Sequence, residues 1–100
     1  MPVVVRLSPS PKAAKKWRVT FEDGSGAHVD FGQLGYSDYT MHGDEARMKR
    51  YLVRHRQSRT GENWTDPKTA GFWSRWLLWS EPTLAAARKR IERMFHIKIR

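Results

Sequence analysis

Ala70-Gly-Phe-Trp-Ser-Arg-Trp-Leu-Leu-Trp-Ser80 is an unusually apolar stretch that holds three of the chain's five tryptophans. A run of this kind costs roughly 25 cal/mol per Å² of apolar surface left in water. It is therefore either the core of a domain or a contact surface for something flat and negatively charged. Helical geometry separates the two. At about 100° per residue, Phe72, Trp73, Trp76, Leu77 and Trp79 fill an arc of roughly 160°, with Ser74, Arg75 and Leu78 opposite. That sidedness marks a helix laid on a core, whereas base-stacking aromatics more often stand on strands or loops. A helix is expected over 69–80, opened by Lys68 or Thr69.

Downstream, Ser80-Glu-Pro-Thr83 ends this helix and begins another over 82–95. Ser80 or Glu81 would cap it, with Pro82 in the first turn, where its missing N–H costs nothing. Leu84, Ala87, Ile91, Met94 and Phe95 form its apolar stripe, and Arg88, Lys89, Arg90 and Arg93 line the other side. His96–Arg100 alternates Ile97 and Ile99 with basic residues, which fits either a last strand or a frayed tail.

Upstream, Ser58–Pro67 is a polar loop carrying Trp64. Asp44–Gln57 reads as a helix over 44–57, with Asp44 as N-cap and Glu45 in the first turn. Met48, Tyr51, Leu52 and His55 recur at helical spacing as an inward stripe, and Arg47, Lys49, Arg50, Arg54 and Arg56 cover the remaining faces. Gly32–Gly43 has no helical period and reads as a loop.

Residues 16–32 read as a β-hairpin. Trp17, Val19 and Phe21 alternate with Arg18 and Thr20. Asp23-Gly-Ser-Gly26 supplies the turn, and Ala27, Val29 and Phe31 alternate with His28 and Asp30. Residues 1–15 hold a short strand, Val3–Leu7, then a basic connection. The expected fold is a small single α+β domain: an N-terminal hairpin, with room for one or two further strands, packed on about three helices.

One hundred residues fit one domain, and the apolar fraction of 39% falls below the usual globular level of about 45–50%. Large aromatics compensate, so the core is small and its margin thin. The chain has no cysteine, which rules out disulfides and thiolate chemistry. No apolar run approaches the roughly 18 residues of a membrane span, and no signal-peptide pattern opens the chain. A soluble intracellular protein without a membrane partner is expected.

The net charge of +9 is uneven. Residues 1–40 carry five Lys/Arg against four Asp/Glu, whereas residues 41–100 carry fourteen against six. In the basic part arginine outnumbers lysine ten to four, and arginine is the better residue for bidentate phosphate contact. This asymmetry points to a polyanion, DNA or RNA.

Several blocks carry a family likeness: Val19-Thr-Phe21, Val29-Asp-Phe-Gly32, Gly35-Tyr-Ser-Asp-Tyr-Thr40 with His42, Arg50-Tyr-Leu-Val-Arg-His-Arg56, Glu62-Asn-Trp64 and Ala70–Trp79. With these, residues 17–95 resemble small, uncharacterised basic proteins of nucleocytoplasmic large DNA viruses, giant viruses included. Gly43 departs from the pattern, which has a lysine there. The resemblance implies a viral origin, a compact fold and residence in a viral factory, a nucleus or the virion. It supplies no activity and no catalytic residues.

Four scattered histidines lack metal-site spacing, and no Gly-x-x-x-x-Gly-Lys phosphate loop is present. No cofactor, metal or catalytic residue is expected. The bland reading of the basic helices is two solvated faces, but few acidic neighbours offset them. The sequence therefore points to a non-enzymatic nucleic-acid-binding protein that uses Arg47, Lys49, Arg50, Arg54, Arg56, Arg88, Lys89 and Arg93, with the loop residue Trp64 as a further contact. The alternative is a virion structural or assembly protein that meets viral structural proteins through an aromatic surface. The Tyr36-Ser-Asp-Tyr39 loop is either a ligand cradle or a packed lid, with Asp38 bonding its own backbone.

Overall fold

Alternation in the first forty residues is realised as three antiparallel-connected strands. In a computed structural model, which describes residues 3–56 and 64–100, they are β1 (Val3–Pro9), β2 (Lys15–Phe21) and β3 (His28–Gln33). β1 pairs antiparallel with β2, Leu7 opposite Val19, and β2 pairs antiparallel with β3, Val19 opposite Val29. Gly24 and Gly26 of the connecting turn both take positive φ, 83° and 72°. The expected hairpin is present.

The undecided C-terminal segment is a strand. β4 (Ile97–Ile99) runs parallel to β1, Val3 opposite Ile97, and the sheet order is β3-β2-β1-β4. The amide and carbonyl of Ile99 are bonded not by β1 but by the helix before it. Glu92 Oε2 accepts from Ile99 N at 3.0 Å, and Arg88 Nη2 donates to Ile99 O at 2.9 Å. Two side chains thereby occupy backbone groups on a strand edge that would otherwise invite another chain.

The described residues also form four α-helices: α1 (Tyr39–His42), α2 (Glu45–Arg56), α3 (Ala70–Trp73) and α4 (Leu84–Phe95). α1 is an addition to the expected helices. Asp38 caps it, accepting from Thr40 N at 2.9 Å. α3 is capped by Thr69, as one of the two expected residues. It runs directly into a π-helical segment, Ser74–Leu78, bonded i→i+5. A π turn advances less per residue than an α turn. It brings Leu78, expected on the outer side, into the core at 2% exposure. Phe72, Trp73 and Leu77 are fully buried as expected, while Trp76 and Trp79 flank the core half-buried.

In α4, Ala87 and Ile91 are fully buried, but Met94 is 45% exposed and leaves the expected stripe. The cap is Thr83, accepting from Ala86 N at 3.2 Å, rather than Ser80 or Glu81. Pro82 therefore precedes the helix.

One sheet face, with Val5, Val19, Phe21, Val29, Phe31, Ile97 and Ile99, packs on α3, the π segment and α4. The opposite face carries Arg6, Arg18, Thr20, His28 and Asp30. There Arg18 donates two bonds to Asp30, at 2.9 and 3.1 Å, and Ser10 donates one at 2.7 Å. These hydrogen bonds, Arg18's first and Ser10's second, hold the Asp30 carboxyl well below its ordinary pKa of 3.8. A depressed acid stabilises the fold above its unfolded pKa and loses that contribution as pH falls through the folded one. The melting-temperature gap between the wild type and Asp30→Asn is therefore expected to be full at neutral pH. It should shrink as pH drops from about 4 toward about 2. A gap that stays constant over that range in thermal melts would contradict the assignment.

Candidate nucleic-acid interface

α2 owes its helix to local chemistry more than to packing. Asp44 Oδ1 accepts from Arg47 N at 3.2 Å, and Glu45 pairs with Lys49 one turn on at 3.1 Å. Its anchor is Tyr51, which lies flat on Trp79 with ring centroids 4.2 Å apart and 4° between planes. His55 covers the other face of Tyr51 at 4.0 Å. Trp79, which follows the π segment, thus fastens α2 to the body of the domain.

Docked this way, α2 forms one wall of a cleft of about 850 Å³. The facing wall is the end of the β2–β3 pair, with Lys15, Lys16 and Gly32. The rim is the loop Gly35–Asp38, and Ser74 and Leu78 of the π segment contribute to the floor. At 100° per residue, Arg47, Arg50 and Arg54 lie within about 60° of one another on α2. Arg47 and Arg54 line the cleft, as does His55.

Asp38 is the only carboxylate among the described residues lining this cleft, and it is already committed. Its side chain, 4% exposed, takes Lys16 Nζ at 2.7 Å, and Lys16 is itself only 13% exposed. It also accepts from Thr40 N and Thr40 Oγ1. Asp38 therefore does bond its own loop backbone, and it also ties that loop to β2. A buried pair of this kind is costly to break one-sidedly. Arg47 Nη2 donates to Ser37 Oγ at 3.2 Å, which fixes the rim loop to α2 as well. Tyr39 is buried, while Tyr36 stands 65% exposed at the rim. The loop is thus packed at one tyrosine and open at the other.

The nine residues expected from the sequence do not share one surface. Arg47 and Arg54 face the cleft and Arg50 lies beside them. Lys49 is on another side of α2, engaged with Glu45. Arg88 is spent on Ile99 and secures β4, so it is no free phosphate contact. Lys89 and Arg93 are exposed on α4, which packs on the π segment and β4 rather than beside the cleft. Trp64 is half-buried, with its carbonyl accepting from Trp76 Nε1 at 2.7 Å. The guanidinium of Arg75 lies 5.4 Å from the Trp64 ring and 4.1 Å from that of Trp76. Burial, then the nearby Arg90, pushes the Arg75 pKa down from its ordinary value, and Nη1 donates to Trp79 O at 3.1 Å. Trp64 and Arg75 are thus parts of the packing. The Arg56 side chain, Gln57, Arg59, Glu62 and Asn63 lie outside the described residues.

The sequence reading missed Lys15 and Lys16 as cleft residues, and it left Tyr36 in a loop that was either a ligand cradle or a packed lid. Lys15 read as part of a basic connection, although it begins β2. Among the described residues no group of three His, Asp or Glu side chains is placed to hold a metal ion, and no helix is long and apolar enough to cross a membrane.

Fold and site together define a two-layer α+β domain with a basic, aromatic-rimmed cleft at one end of its sheet. Residues 5–55 match a family of unknown function, DUF5754, and the chain belongs to that family. The matched span contains most of β1, all of β2, β3 and α1, and nearly all of α2, hence most of the cleft lining. No curated protein and no solved structure matches the chain.

Proposed function

We propose that this is a non-enzymatic nucleic-acid-binding protein of a large DNA virus, holding its ligand mainly through phosphate contacts. The observation that carries the reading is the convergence of Lys15, Arg47 and Arg54 on one cleft in which the single carboxylate among the described lining residues, Asp38, is paired with Lys16. Arg50 extends the positive surface outward along α2. Lysine and arginine side chains gathered around a concavity draw a polyanion and release its counterions on binding.

Affinity for a short oligonucleotide is expected to be measurable by fluorescence anisotropy at about 50 mM salt and to fall steeply as salt rises. Three phosphate contacts from Arg47, Arg50 and Arg54 give a slope of log K against log salt near −2 for a single strand, at about −0.7 per contact. Arg50→Ala should lower that slope's magnitude by just under one. No binding at about 50 mM salt, or a flat salt dependence, would sink the proposal.

The exposed Leu34, Tyr36 and Met41 favour a second reading, a virion assembly protein that meets a protein partner there. A symmetric oligomer in light scattering that covers these three side chains would support it.

A further inference from the structure

Resting on the nucleic-acid reading above, we infer that the cleft takes an unpaired nucleotide and so selects single-stranded over duplex nucleic acid. Duplex binding through phosphates needs only exposed cations, and the outer side of α2 offers them. The cleft offers something else. Tyr36 stands at its rim with its side chain largely in solvent, on a loop fastened at both walls: Lys16 holds Asp38 at 2.7 Å, and Arg47 holds Ser37 at 3.2 Å. An aromatic ring on a fixed loop is a stacking platform with little entropy left to lose.

Tyr51 does not compete for this role, because His55 and Trp79 cover both of its faces. The sheet face opposite the core does not compete either: its described residues include no Phe, Tyr or Trp, and Arg18 there is bound to Asp30. Among the described residues, only at the cleft do an exposed ring and cations on two sides meet. Arg47 and Arg54 stand on one wall and Lys15 on the other, so a phosphate backbone can pass between them while a base lies on Tyr36. A base stacks on a side chain only when its face is bared, which a base inside a duplex does not offer.

The test compares a labelled oligothymidylate with a duplex of equal length, titrated with the full chain at about 50 mM salt. The single strand is expected to bind about tenfold more tightly. Tyr36→Ala should weaken single-strand binding by about tenfold, in line with the stacking contribution of one base, and leave duplex binding unchanged. Tyr36→Phe should keep the wild-type preference, since the ring and not the hydroxyl acts. Tyr36 is exposed, so an unaltered thermal melt will show that Tyr36→Ala is folded. Equal affinity for the two forms, or single-strand affinity indifferent to Tyr36→Ala, overturns this inference while leaving phosphate binding standing. Absence of binding to both forms overturns the two together.

Discussion

Trp73→Ala is expected to cost about 4 kcal/mol of stability, within the usual range for deleting a fully buried tryptophan. Trp73 is completely enclosed, with its ring centroid 6.0 Å from Phe31 of the sheet and 5.1 Å from Phe72 beside it. Its indole N–H donates to Pro67 O at 2.7 Å, so truncation also strips a partner from a backbone carbonyl. No neighbouring side chain is free to fill the space, because those around it are themselves fixed in the core. In a domain of this size such a loss lowers Tm by about 20 °C, and it consumes much of a total stability of roughly 5–15 kcal/mol. Thermal melts followed by circular dichroism measure this. A Tm within a few degrees of wild type would mean that the sheet and helices are not held together through this side chain.

Gly32→Ala is expected to cost about 3 kcal/mol, from two separate causes. Gly32 has φ of 77°, where any L side chain is strained. A Cβ there would also sit 2.9 Å from Leu78 Cδ1 and 3.3 Å from Lys16 Cβ. The first cause is shared with Gly24, φ 83°, whose hypothetical Cβ meets nothing within 4 Å. Gly24→Ala should therefore cost only the backbone part, about 1–2 kcal/mol. The difference between the two variants in urea unfolding isolates the contact with Leu78. Equal losses would show that Leu78 yields freely and that β3 and the π segment are not closely fitted.

Much of the sheet was legible because alternation states which face of a strand goes inward. Trp17, Val19 and Phe21 against Val29 and Phe31 left little freedom in the hairpin. β4 was undecided for a physical reason: three residues of alternation are too few to distinguish a strand from a tail, and its partner lies at the other end of the chain. The π segment was not legible at all. Its i→i+5 bonding is a backbone choice that no residue type announces, and so the sequence turned Leu78 outward.

The cleft was legible only in fragments. Arg47 and Arg54 stood out as charge on a helix. Lys15, Lys16 and Tyr36 come from two other segments, and only the docking of Tyr51 on Trp79 brings all of them to one place. Arg88 misled for a related reason, since a cation on a helix looks the same in sequence whether it meets solvent or a strand's carbonyl.

The parallel pairing of β1 with β4 also sets an order of events. β1 is an interior strand of the finished sheet, yet one of its two edges has no partner until residues 97–99 have been made. During synthesis it is a border strand, and the buried residues that share the core with Val5 beyond the sheet, Phe72 to Ile91, come nearly as late. Such distant pairings are slow to form, because a long loop must close before any contact rewards it. The clasp that Glu92 and Arg88 place on Ile99 holds the last strand once it arrives. It makes residues 97–99 a latch on which completion of the four-stranded sheet waits.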